Sequence, residues 1–286
     1  MTYANSDALV STEWLAEHLD APDVRIVDAT SFLPTSDRNG RKEFEECHIP
    51  GSVFFDINEI ADTDSDLPHM LPSPEKFSSK VRNLGLGDGS RIIVYDGNGG
   101  FMAAARVWWT FRVFGHQDIA VLDGGLPKWL SEGRPTDDIP SPPRERHFTA
   151  RTNTFLARSV DQMIKNVESG REQVIDARSA GRFAGTDPEP RPTRKRGHIP
   201  GSICLPFGKF MDSERHFTMR SADEIKAALD EAGVDLSKPI VTTCGSGVTA
   251  SLLALGLYLI GHPDAAVYDG SWAEWGEHFD TPVEAD

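Results

Sequence analysis

Short apolar runs alternate along the chain with longer stretches that carry the 3.6-residue period of an amphipathic helix. Val24-Arg-Ile-Val, Arg91-Ile-Ile-Val-Tyr and Ile119-Ala-Val-Leu lie in the first half; Gln173-Val-Ile, Ile240-Val-Thr-Thr and Ala265-Ala-Val-Tyr lie in the second. Runs this apolar, without a regular polar face, predict strands buried on both sides, as in a parallel sheet. Between two of them, Ala222 to Ala232 places Ile225, Ala228, Leu229 and Ala232 on one helical face, with Gly233 following as a stop. Ser251 to Ile260 reads as a further helix, apolar all round. Strand, helix and strand joined by short loops predict an α/β fold in which each parallel sheet has helices on both faces.

The pattern occurs twice. His48-Ile-Pro-Gly-Ser52 returns intact as His198-Ile-Pro-Gly-Ser202, and Asp28, closing the first apolar run, returns as Asp176. Ser73-Pro-Glu-Lys-Phe77 matches Ser221-Ala-Asp-Glu-Ile225, Gly115-His116 matches Gly261-His262, and Asp123-Gly-Gly-Leu-Pro-Lys-Trp129 matches Asp269-Gly-Ser-Trp-Ala-Glu-Trp275. The order is kept, and each repeat arrives 146 to 150 residues later. A period that long is domain-sized, so a tandem duplication is predicted. Ser131 to Thr154 holds Gly133, Pro135, Pro140, Pro142 and Pro143 among polar residues, the composition of an extended linker, which puts the expected domains at 1–145 and 146–286.

The length of 286 residues allows two domains of about 150 residues, each with its own core. Hydrophobic residues at 39% and charged residues at 26% leave no case for a disordered, collagenous or membrane-bundle chain. The longest mostly apolar stretch, Ala250 to Ile260, is far short of the ~20 residues of a spanning helix, and the first residues lack the basic and apolar regions of an export signal. The formal net charge of −15 repels phosphate backbones and anionic lipids, so neither nucleic acid nor membrane is an expected partner. The three cysteines, Cys47, Cys204 and Cys244, form no Cys-x-x-Cys pair, and no His-Glu-x-x-His is present. A disulfide framework and a zinc site therefore lack support, and a reducing, cytoplasmic setting is expected.

One cysteine stands apart from the other two. The strand Pro239-Ile-Val-Thr-Thr243 runs into Cys244-Gly-Ser-Gly-Val-Thr-Ala250, at the carboxyl end of a strand, where ligands bind in open α/β sheets. Two glycines within three residues are expected to let the backbone curl until several amides, and the N-terminus of the next helix, converge on the sulfur. Such a cradle stabilises a thiolate nucleophile and equally the terminal sulfur of a persulfide. Cys47 and Cys204 have no glycine cradle and are expected to be packing residues. His48 and His198, each before Ile-Pro-Gly, fit loop architecture better than catalysis.

Together, the repeated Asp-Ala and His-Ile-Pro-Gly-Ser motifs, Asp-Gly-Gly or Asp-Gly-Ser before a tryptophan, and a lone cysteine at a strand end resemble the two-domain rhodanese sulfurtransferases, from about Ser11 to Glu277. The resemblance implies two tandem rhodanese-like domains, the second catalytic. The first is expected to be inert and to cover the cleft, because Asp96 stands at the cysteine's position and a carboxylate cannot carry a transferable sulfur. The loop Cys244-Gly-Ser-Gly-Val-Thr is similar to that of 3-mercaptopyruvate sulfurtransferases, whereas thiosulfate-specific rhodaneses carry Cys-Arg-Lys-Gly-Val-Thr there. By resemblance, Cys244 and Ser246 are the expected catalytic residues. Arg182 and Arg191 are expected to clamp the substrate's carboxylate and carbonyl, with Gly245, Gly247, Val248 and Thr249 around it, while Arg178 supports the fold. His69, within Pro68-His-Met-Leu-Pro72, is a candidate for a proton relay with Ser246; the relay's third position, an acid in some members, aligns with Asn58.

The loop difference has a physical meaning. Thiosulfate leaves a sulfite dianion and favours cations beside the nucleophile, whereas mercaptopyruvate is a monoanion that leaves as pyruvate enolate. The resemblance thus implies a sulfane sulfur passed from 3-mercaptopyruvate through a Cys244 persulfide to cyanide, a small thiol, or a dithiol protein such as thioredoxin, with no metal or organic cofactor. Thiosulfate as donor is the nearest alternative. A cysteine phosphatase of the same topology needs Cys-x5-Arg, and the sixth residue after Cys244 is Ala250. A non-catalytic binding module is the third alternative, and the glycine cradle argues against it. The acidic end, Val283-Glu-Ala-Asp286, reads as a solvated tail.

Overall fold

The apolar runs form two parallel sheets in a computed structural model that describes residues 2–99, 102–140 and 142–285. The first sheet comprises β1 (Leu9–Val10), β2 (Val24–Asp28), β3 (Ser52–Phe54), β4 (Arg91–Tyr95) and β5 (Ile119–Leu122), in the order β1-β5-β4-β2-β3. β6 (Ala157–Arg158), β7 (Gln173–Asp176) and β8 (Ile203–Cys204) follow, and then a short antiparallel pair, β9 (Met211–Asp212) with β10 (Thr218–Met219). With β11 (Ile240–Thr243) and β12 (Ala266–Tyr268), the second sheet has the order β6-β12-β11-β7-β8. The two orders correspond strand for strand, as duplication requires.

Strand composition follows from burial on both faces. Along β4, Ile92 and Val94 enter one core while Ile93 and Tyr95 enter another, and along β11 Ile240 and Val241 divide in the same way. The repeated serines are helix caps: Ser73 accepts the N–H of Lys76 ahead of helix Pro74–Asn83, and Ser221 forms a capping box with Glu224 ahead of helix Ala222–Glu231. Helices Met102–Val113 and Val248–Leu259, one from each half, pack on each other and share one core. There Trp108 meets Tyr258 edge-on at 5.3 Å, and the Arg112 guanidinium lies over both rings at 4.7 and 4.2 Å. Among the described residues, no helix is long and apolar enough to cross a membrane.

The paired histidines brace loops. His48 Nδ1 sits 2.6 Å from the Phe44 carbonyl with its ring stacked on Phe44, and His198 Nδ1 sits 3.0 Å from the Phe183 carbonyl with its ring stacked on Phe183. Their backbones pair with Asp137 and Glu284 respectively. Two sequence expectations change as a result. The C-terminal segment is tied down as far as Glu284, Asp286 lying outside the described residues: Glu284 is hydrogen-bonded through its backbone to His198, its carboxylate accepts the Gly201 N–H, and Val283 packs against the second sheet's core. The proline-rich linker is extended but not detached: Asp137 pairs with His48, Phe148 is buried against Phe77 and Phe111, and the Arg151 N–H reaches the Phe114 carbonyl. Open backbone beside the histidines and a large aromatic ring supply what charge and proline content hide. Cys47 follows helix Gly40–Glu46 and Cys204 lies in β8, both half-buried.

Candidate active site

Cys244 follows the central strand β11 and is 2% exposed, at a cavity of about 360 Å³ between the two halves. Ile57, His69 and Met102 line that cavity from the first half; Arg182, Arg191 and the cysteine loop line it from the second. The loop is shorter than its composition predicts, because the helix begins at Val248 rather than Ser251. The two glycines serve different purposes. Gly247, the N-cap, has φ +74°, and a Cβ there would lie 2.7 Å from Arg106 Nη1 and 2.8 Å from the Asp269 carbonyl. Gly245 lets Arg182 approach, since a Cβ would come within 2.7 Å of its Nη2.

The cradle is correspondingly smaller than expected. The N–H groups of Cys244 and Gly247 both donate to Ser271 Oγ, at 3.2 and 3.0 Å, and that hydroxyl donates to the Tyr268 carbonyl at 2.8 Å. The carbonyls of Cys244 and Gly245 accept the N–H groups of Trp272 and Ala273 at 2.9 and 2.8 Å. The Asp269-Gly-Ser-Trp turn thus clamps the loop from below. Gly245, Ser246, Val248 and Thr249 line the cavity, whereas Gly247 faces away from it toward Arg106.

Three arginines were singled out in the sequence, and the fold separates their roles. Arg178 is buried, with Nη2 2.6 Å from Asp176 Oδ2 and Nη1 2.9 Å from Glu189 Oε1, its guanidinium over the Trp272 ring at 4.3 Å. It is a structural strut. Glu189 spends its other oxygen on Arg182, 2.5 Å from Nη2, which orients that guanidinium across the loop. Arg191 lies on the cavity wall, with Nη2 3.1 Å from His69 Nε2. Burial lowers the Arg191 pKa from the ordinary arginine value; the charge of Cys244 opposes this and that of Arg182 adds to it, which marks all three as electrostatic neighbours.

A guanidinium can only donate, so His69 Nε2 is the acceptor and its proton resides on Nδ1. Burial, with Arg191 and Arg106 beside it, depresses the imidazole to a pKa of about 3. His69 is then neutral near pH 7 and a poor base. Ser246 lines the same cavity, whereas Asn58 is exposed, bonded to Asp56 and absent from the cavity wall; the third relay position therefore does not meet the other two.

Arg106, on helix Met102–Val113, joins the halves. Its Nη2 lies 2.6 Å from Asp269 Oδ1 and also donates to the His69 carbonyl, while Asp269 Oδ2 accepts the Leu71 N–H at 2.8 Å. Sequence reasoning gave no role to Arg106, Glu189 or Ser271. The one visible signal was a lone arginine within Ala103-Ala-Ala-Arg-Val-Trp-Trp109, an apolar setting that demands a buried partner. In the first half, Asp96 follows β4 as Cys244 follows β11, and its carboxylate accepts the N–H groups of Asn98 and Ala104 at 3.2 and 3.1 Å. Burial raises its pKa, against the hydrogen bonds its own loop donates to it. Among the described residues, no group of His, Cys, Asp and Glu side chains is arranged to hold a metal ion.

Comparison with known proteins agrees with this geometry. A profile of the rhodanese-like domain matches residues 11–132 and again 159–278. The chain is 45% identical over 273 residues to 3-mercaptopyruvate sulfurtransferase of Rattus norvegicus, covering 94% of this chain and 91% of that one. It is 46% identical over 274 residues to thiosulfate sulfurtransferase of the same species, again covering 94% and 91%. Among solved structures, SseA from Escherichia coli, a 3-mercaptopyruvate sulfotransferase with the rhodanese fold, matches with a TM-score of 0.85 at 37% identity, covering 93% of this chain and 99% of that one. On fold, duplicated motifs and these likenesses together, the chain belongs to the rhodanese family, as a sulfurtransferase of two tandem rhodanese-like domains.

Proposed function

We propose that the chain moves a sulfane sulfur from 3-mercaptopyruvate to a thiol or cyanide through a persulfide on Cys244. The Cys244 thiolate attacks the donor's sulfur. As the S–S bond forms, the donor's C–S bond breaks, the bonding pair leaves on carbon as pyruvate enolate, and protonation of that carbon gives pyruvate. An acceptor thiolate or cyanide then takes the terminal sulfur and returns the Cys244 thiolate, a two-step scheme with ping-pong kinetics.

The observation that carries this reading is an uncharged loop beside two guanidinium groups. Gly245 and Ser246 contribute no cation, while Arg182 and Arg191 line the cavity with Cys244. Planar guanidinium groups suit the carboxylate and carbonyl of an α-keto acid, and they meet the charge that develops on the enolate oxygen. In this scheme His69 acts by holding Arg191 through Nε2, and Ser246 with the amides of Gly245, Val248 and Thr249 receives the sulfur being transferred. Acceptors of the proposed scheme are cyanide, small thiols and dithiol proteins such as thioredoxin, in a reducing compartment such as the cytoplasm. Thiosulfate is the second reading, favoured by the likeness to thiosulfate sulfurtransferase and by the same two arginines, which could receive sulfite. Steady-state transfer to cyanide with both donors in parallel tests the choice: kcat/KM should favour 3-mercaptopyruvate by more than about tenfold, 1.4 kcal/mol in transition-state binding. A preference for thiosulfate would overturn the donor assignment.

A further inference from the structure

The duplication lets one half be compared with the other. In the second half, Arg178 stands two residues after Asp176 with its guanidinium in a closed socket. Asp176 holds Nε and Nη2, Glu189 accepts from Nη1 at 2.9 Å, the Gly197 carbonyl accepts from Nη2 at 2.8 Å, the Arg182 carbonyl lies 3.4 Å from Nη1, and Trp272 covers one face. In the first half the residue two after Asp28 is Thr30.

Other walls of the socket have counterparts there. Asp28 stands for Asp176, Cys47 before His48 for Gly197 before His198, and Leu126 for Trp272. Glu43 stands for Arg182, since each precedes the phenylalanine that stacks on the histidine. All four, and Thr30 itself, line a single cavity of about 220 Å³. Where one half seats an arginine, the other has an open space with the corresponding carboxylate on its wall.

That carboxylate has no counter-cation of its own. Asp28 is 1% exposed and accepts the Thr30 N–H at 2.7 Å; among the described residues, no Lys, Arg or His pairs with it. Burial pushes its pKa up to about 6, against the hydrogen bonds from Thr30 and Tyr95. Arg38 also lines the cavity, but its guanidinium is spent on Glu43, at 2.7 Å through both Nε and Nη2, and on the face of Phe32. Glu46 adds a further negative charge to the lining.

We propose that this first-half cavity binds a guanidinium group supplied from outside the chain, on a small molecule or on a partner's arginine, seated on Asp28 as Arg178 is seated on Asp176. The planar fork matches a carboxylate and a carbonyl, which a quaternary ammonium cannot. Isothermal titration calorimetry near neutral pH with methylguanidinium chloride tests it, with tetramethylammonium chloride at equal ionic strength as control. One saturable site is expected for methylguanidinium only. Asp28→Asn should weaken binding at least tenfold, and Thr30→Arg, which supplies the guanidinium from within, should abolish binding and raise the melting temperature. A short end-capped arginine peptide separates the two sources: if it binds like methylguanidinium the site accepts a partner's arginine, and if only methylguanidinium binds it accepts small molecules. Absence of saturable binding, equal binding of tetramethylammonium, or undiminished binding to well-folded Thr30→Arg would overturn the proposal.

Discussion

Replacing Asp269 with Asn should cost about 3–5 kcal/mol of stability and disable the catalytic cleft with it. The Arg106 and Asp269 side chains are 4% and 8% exposed and 2.6 Å apart. Asp269 uses one oxygen for Arg106 and the other for the Leu71 N–H. An asparagine offers one acceptor and turns an N–H toward a donor, which leaves the Arg106 charge buried where Nη1 already lacks a partner. Removing both charges, as Arg106→Met with Asp269→Asn, should recover much of the loss because neither partner then pays for desolvation. Urea denaturation of the wild type, both single variants and the double variant closes a cycle, with an expected coupling of about 2 kcal/mol, inside the range seen for contacting pairs. The Asp269→Asn variant should also lose kcat/KM under conditions where it is fully folded, because Arg106 carries the His69 carbonyl and backs Gly247. Additivity within about 0.5 kcal/mol would refute the ion-pair reasoning.

Ser271→Ala deprives the Cys244 and Gly247 amides of their acceptor, at about 1–3 kcal/mol for each buried N–H, so both thermal stability and kcat/KM should fall; an unchanged kcat/KM would mean the clamp does not set the loop. Gly247→Ala asks a Cβ to adopt φ +74° against Arg106 and the Asp269 carbonyl, costing about 1–2 kcal/mol in backbone strain and about 1–3 in overpacking; melting curves matching the wild type would contradict it. His69 has a folded pKa of about 3, below its ordinary 6.5, so between those values the unfolded chain takes up a proton that the folded one refuses. Its contribution is present above pH 6.5 and lost as pH falls toward 3, by up to about 1.4 kcal/mol per pH unit, so between those values the wild type minus His69→Gln difference in stability should rise with pH by up to that slope. Asp28 and Asp123, both raised to about 6 chiefly by burial, act in the opposite sense and cancel in the comparison; equal slopes would exclude a neutral buried His69.

Much of the fold was legible because its signals are local. Short β-branched runs marked β4 and β11, and the repeated His-Ile-Pro-Gly-Ser together with the matching segments that begin at Ser73 and Ser221 disclosed the duplication. The position of Cys244 at a strand end was equally plain. Its cradle was overread, since Ser271, 27 residues away, takes two of the loop amides that the glycines suggested were directed at the sulfur. Two glycines look alike in sequence, yet Gly247 is left-handed and Gly245 makes room for Arg182. The neutrality of His69 depends partly on Arg191 from the other half, and the use of Glu189 by both Arg178 and Arg182 depends on a carboxylate shared inside a folded loop. The acidic C-terminus was misjudged for a similar reason: its charge favours solvent, but its backbone finds open hydrogen-bonding groups beside His198.

The central claim is that sulfur travels on Cys244, and the mass of that cysteine after exposure to 3-mercaptopyruvate without an acceptor tests it most directly. The peptide containing Cys244 should gain the mass of one sulfur atom, lose it on addition of cyanide with one thiocyanate formed per protein, and show no gain in Cys244→Ser. Sulfur found instead on Cys47 or Cys204, or turnover that persists in Cys244→Ser, would contradict the account.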